Sequence, residues 1–144
     1  MSRIVDIADA MVEAINGASW PAEFTARRAF DPKYNLARGE LDALKVDVVP
    51  NGDGVDQVDD RSGRMRHVYT LDVAIARKVT STEGPEIEAL VDLSEAMADF
   101  LKLKNFGGFG VCIKPDCDPV YNKELLAQKH VFGSIVTVEV VAWR

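Results

Sequence analysis

Residues 59–78 read DDRSGRMRHVYTLDVAIARK. In the second half, His67, Tyr69, Leu71, Val73 and Ile75 alternate with Val68, Thr70, Asp72, Ala74 and Ala76. Successive strand side chains point to opposite faces, so this spacing predicts a strand with one apolar face and one small, mixed face. The first half has another character. Arg61, Arg64 and Arg66 fall within six residues, directly after Asp53, Asp56, Asp59 and Asp60. Such adjoining blocks of opposite charge are either ordinary solvated surface or a pattern that steers and registers a partner.

Upstream, Ile4, Ile7, Ala8, Met11 and Ile15 recur at helical spacing, and Asn16-Gly17 supplies a stop, predicting an N-terminal helix. Phe24 to Phe30 reads as a strand ended by Asp31-Pro32, Leu36 to Leu44 as a short helix, and 45–50 as a short strand stopped by Pro50. The stretch NGDGVDQVDD, 51–60, has two glycines, four aspartates and little to bury, so residues 51–64 are expected to form a flexible loop. Downstream, Pro85 to Leu103 predicts the longest helix. Its apolar stripe is Ile87, Leu90, Val91, Ser94, Met97, Ala98 and Leu101, and its acidic stripe is Glu88, Asp92, Glu95 and Asp99. NFGGFG (105–110) breaks that helix, 111–115 is a brief strand, a turn or short helix follows around 121–126, and Val131 to Trp143 is a closing strand. The order predicts an α+β fold: a single antiparallel or mixed β-sheet with an N-terminal helix and a long central helix packed on one face.

With 144 residues and no linker, the chain reads as one domain, 1–144. No apolar run is long enough to span a bilayer, and Arg3, Asp6 and Asp9 interrupt the pattern a signal peptide would need. A net charge of −6 argues against nucleic-acid recognition, which needs a positive field. Two cysteines fit a reducing compartment better than a disulfide scaffold.

Enzymatic motifs are weak. His67 lies on the apolar side of a strand start, where a structural histidine is the commoner case, and no G-x-S-x-G elbow exists. Cys112, Cys117 and His130 lack the paired spacing of a zinc site. The glycines of NFGGFG follow a helix rather than opening one, the wrong polarity for a phosphate loop. No catalytic residue, cofactor or metal is therefore assigned, although a small metal- or ligand-binding enzyme using Cys112, Cys117 and His130 stays open as an alternative.

The segments LKVDVVP, SGR, YTLDVAIARKV, PEIEALVDLSEAMADFL and FGSIVTVEVVAWR, in that order behind an N-terminal helix, resemble the small neck and tail-completion proteins of tailed bacteriophages, most nearly the tail terminators. The resemblance implies a non-enzymatic virion protein, assembled in the host cytoplasm. It would form a ring, typically hexameric, that caps the tail tube and joins the tail to head-completion or connector proteins. A head-completion or stopper protein is the alternative within the same class. Partners would be the tail tube protein, a head-completion protein and further copies of the chain, with neither nucleic-acid sequence nor membrane recognised. The interface candidates are Arg61, Arg64, Arg66, Asp59, Asp60, Glu88, Asp92 and Glu95.

Overall fold

A computed structural model describes residues 3–30, 43–80, 84–102, 111–116 and 123–143. In chain order these form α1 (Arg3–Asn16), β1 (Ala26–Arg28), β2 (Lys45–Val58), β3 (Met65–Lys78), α2 (Pro85–Leu101), β4 (Val111–Asp116), α3 (Lys123–Lys129) and β5 (Val131–Trp143). The strands make one five-stranded mixed sheet in the order β1-β2-β3-β5-β4. Only β1 and β2 run parallel, and the other three pairings are antiparallel.

The alternation in β3 decides which side of the sheet is covered. Tyr69, Leu71, Val73 and Ile75 are buried, and register places Val46 and Val48 of β2 and Val136, Val138 and Val140 of β5 beside them on the same face. Ile7, Ala8, Met11 and Ile15 of α1 and Ile87, Leu90, Leu93, Met97 and Leu101 of α2 complete one core with that face. Burying these side chains is the main favourable term in folding, about 1.5–3 kcal/mol for each large aliphatic. Trp20 joins the two helices. Its ring meets Phe24 and Phe100 at centroid distances of 5.9 and 5.1 Å, and its indole N–H donates to the Ile15 carbonyl at 2.8 Å.

The opposite face is held by polar pairs. Thr137 Oγ1 donates to Asp72 Oδ1 at 2.8 Å, and Asn51 Nδ2 donates to Asp72 Oδ2 at 3.2 Å, so one carboxylate ties β5, β3 and β2 together. On the same face, register sets the fully buried Asp47 opposite Ala74, and Arg27 Nε donates to its Oδ1 at 2.6 Å.

Several expectations need correction. The predicted strand 24–30 shrinks to three residues, Ala26–Arg28, which pair with Val46–Val48. Its other side is capped by a side chain: Asn16 Nδ2 donates to the Ala26 carbonyl at 3.0 Å and the Ala26 N–H donates to Asn16 Oδ1 at 2.8 Å. Pro50 does not stop β2, which runs 14 residues. Past Val48 no described strand borders β2 on the β1 side, so a missing N–H costs little there, and a register shift between Pro50 and Gly52 absorbs the ring. The central helix is of ordinary length, 17 residues, and ends at Leu101, where Lys102 turns extended. Within it Leu93 is buried and Val91 only partly so. The predicted helix at 36–44, apart from non-helical 43 and 44, and the NFGGFG breaker lie outside the described residues.

Two backbone positions set element ends. Gly84 precedes α2 at φ 105°, a conformation open to glycine, and Pro85 follows at the first helical position. His130 closes α3 at φ 53°, donating its N–H to Leu126 O while its own carbonyl accepts from Val79 N at 2.8 Å.

Replacing Asn16 with Ala removes both hydrogen bonds that cap β1. Asn16→Ala should lower unfolding free energy by about 1–2 kcal/mol in urea melts, whereas an unchanged midpoint would mean that β1 does not depend on this side chain.

Candidate functional site: the β2–β3 arm and the outer face of α2

β2 and β3 stay paired well beyond the core. The ladder runs through Asp53–Tyr69, Gly54–Val68, Val55–His67, Gln57–Arg66 and Val58–Met65, with a second register shift between Val55 and Gln57. Residues 51–58 are thus strand, not the loop expected from their composition, and only 59–64 turn the chain. Glycine and aspartate disfavour strands, but that preference is weak beside a ladder of backbone hydrogen bonds to a partner strand, even one with two register shifts. The described side chains from Asn51 to Met65 are all exposed, so the hairpin forms an arm outside the core.

The arm's turn is built on Asp59. Its N–H donates to Arg64 O at 2.8 Å and its carbonyl accepts from Gly63 N at 2.9 Å. Its carboxylate accepts from Ser62 Oγ at 2.8 Å and from the Arg61 N–H at 3.0 Å, while the Arg64 N–H donates to Ser62 Oγ at 3.2 Å. Gly63 takes φ 71°, the left-handed region that spares glycine the Cβ clash. The Ser62 hydrogen bond, followed by the Arg61 amide, holds the Asp59 carboxyl below its ordinary pKa.

The arginine cluster is therefore split. Arg61 and Arg64 stand exposed in the turn, whereas Arg66 lies in β3, half-buried, with Gln57 on one side and Trp143 on the other. Asp59 shapes the turn and Asp60 is exposed beside it. Glu88, Asp92, Glu95 and Asp99 line the outer face of α2, all exposed, and the structure does not bring them to the arm of the same chain. His67 stacks on Tyr69, rings 10° from parallel with centroids 6.3 Å apart, which is a packing role.

The sequence reading missed the arm's apolar side chains. Val55, Val58 and Met65 are 47%, 57% and 41% exposed, and register sets all three on the side that continues the core face. Trp143 is 45% exposed on the other side, level with Arg66. Two valines in an otherwise polar, glycine-rich stretch were the available signal.

Elsewhere, a cavity of about 450 Å³ opens beside β1 and the start of β2, with Glu23, Thr25, Lys45 and the paired Arg27 and Asp47 among its walls. Among the described residues no group of three or more metal-ligating side chains converges. Cys112 lies in β4, Cys117 falls outside the described residues, and His130 is exposed at the end of α3. No helix among the described residues is long and apolar enough to cross a membrane.

No protein-family model matches this chain, and no curated protein is significantly similar to it.

The Asp59 bonds set a pH dependence for the turn. A folded carboxyl more acidic than its unfolded form orders the turn above the ordinary aspartate value of about 3.9, and that contribution is lost as pH falls through the depressed folded value. Carboxyl titration by NMR should place Asp59 below that value in the native chain and move it upward in Ser62→Ala. Identical titrations in the two proteins would remove Ser62 as the cause.

Proposed function

We propose that this chain is a structural virion protein of the tailed-phage neck, a tail terminator that assembles as a ring, caps the tail tube and joins the tail to head-completion proteins. The observation that carries this reading is the β2–β3 arm, an extended ladder outside the core with exposed Val55, Val58 and Met65 and a charged turn. An element of that kind stabilises the isolated chain little. Its apolar side chains gain burial only against another surface, and its exposed charges suit docking by shape and electrostatic fit.

The order of elements supports the same reading. An N-terminal helix, two long strands, a helix and a closing strand stand in the order of the segments that carry the resemblance, although residues 51–58, expected as an acidic loop, are strand. In this reading the sheet and its helices form a rigid body, while the arm and the acidic face of α2 are contact surfaces. Heterologous contacts between such different patches generate a ring when the rotation closes.

The test is reconstitution. Purified protein added to growing tail tubes should appear by electron microscopy as a cap at one end and should stop elongation. Arg61→Ala combined with Arg64→Ala should change stability by under about 0.5 kcal/mol per site, since both side chains are exposed, yet reduce capping. Tubes that grow on in the presence of the native protein would refute the reading. Pull-downs against tube and connector proteins separate a terminator from a stopper, because the terminator must retain the tube.

A further inference from the structure

The arm and α2 carry two halves of a charge pair that do not meet within one chain. Arg61 and Arg64 are exposed at the turn and form no salt bridge with a described residue, although the Arg64 charge helps to lower the Asp59 carboxyl. Asp59 is committed to the turn, which leaves Asp60 as the uncommitted acid among residues 59–64. On α2, Glu88, Asp92, Glu95 and Asp99 follow one another at spacings of four, three and four, which places them on one exposed face, again without a described ion pair. Like charges at these spacings repel along a helix, so the stripe weakens the helix that carries it unless cations approach from outside.

Two further features make the arm an unfinished surface. Val55, Val58 and Met65 lie exposed on one side of it. In addition, the outer edge of β2 beyond Val48 has no neighbouring strand among the described residues, and a strand edge of that kind can pair with another chain. Edge pairing between two identical β2 strands is opposed by the aspartates in 51–60, because like charges would be brought together. Among the described residues, the acidic face of α2 offers four exposed carboxylates in one row whose charge suits the arginines.

We infer that the occupant of the arm is a second copy of this chain, bound so that Arg61 and Arg64 of one protomer face the Glu88–Asp92–Glu95 stripe on α2 of the next. The arginines set register and the three apolar side chains lose solvent in the contact. Because different patches meet, each protomer keeps a free arm on one side and a free helix on the other, and the contact repeats. This assignment rests on the assembly reading above but is tested without tail tubes.

Sedimentation velocity over a concentration series gives the test. The native chain should self-associate, and association should weaken several-fold between about 0.05 and about 0.5 M salt, because the screening length falls from above about 10 Å to below about 8 Å over that range. Arg61→Glu with Arg64→Glu should sediment as a monomer. Glu88→Lys with Asp92→Lys and Glu95→Lys should do the same, each with native circular dichroism. An equimolar mixture of the two variants restores opposite charges at both contacts and should regain the native sedimentation coefficient. A native chain that stays monomeric up to its solubility limit, salt-insensitive association, or variants that remain monomeric on mixing would each overturn the contact. If a variant does not fold, the salt series on the native chain decides alone. Tube capping combined with salt-insensitive association would overturn this contact and leave the neck reading standing, and the reverse combination would do the opposite.

Discussion

β3 is bonded along both edges for nearly its whole length, and the rest of the structure follows from that. β2 pairs with it from Lys45–Ala76 to Val58–Met65, and β5 from Arg66–Trp143 to Lys78–Val131. With its side-chain period locked between two partners, β3 cannot slip by one residue without moving Tyr69, Leu71, Val73 and Ile75 from the core to the open face. The helices then have one possible seat. Ile15 and Met11 of α1 and Met97 and Leu101 of α2 cover the same apolar face, and Trp20 bridges them through Phe100. Asp72 fixes the register from the other side by accepting hydrogen bonds from Asn51 and Thr137.

The same double pairing explains how an arm of poor strand formers can exist. Gly52, Gly54 and their neighbours gain no burial, yet each ladder step to β3 satisfies backbone groups, and a turn knotted by Asp59, Ser62 and Gly63 closes the end. The arm is thus ordered by the strand it grows from and not by a core of its own. Val55, Val58 and Met65 and the turn residues Arg61 and Arg64 face solvent there, which is the physical basis for proposing an assembly role.

Much of the fold was legible in the residues. α1 and α2 were announced by helical spacing of apolar side chains, and β3 and β5 by strict alternation, because those patterns are local and each element buries one full face. Ser94 could be placed within the apolar stripe of α2, and it is indeed buried, its hydroxyl donating to Leu90 O at 3.1 Å. The candidate site was half legible. Arg61, Arg64 and the α2 acids stood out as charge patterns, but Arg66 looked like part of the same loop, and Asp59 looked like surface charge when its carboxylate organises the turn.

By itself the sequence determined which segments are amphipathic, with what period, and where opposite charges cluster. Only the tertiary structure decided that β1 would be three residues long and capped by Asn16, that β2 would pass through Pro50, and that β5 would enter between β3 and β4. The reason is the range of the interactions. Periodicity and turn chemistry act over a few residues, whereas a strand's length and neighbours are set by the ladder it finds, and for β2 that ladder pairs Lys45 with Ala76 across 31 positions of chain.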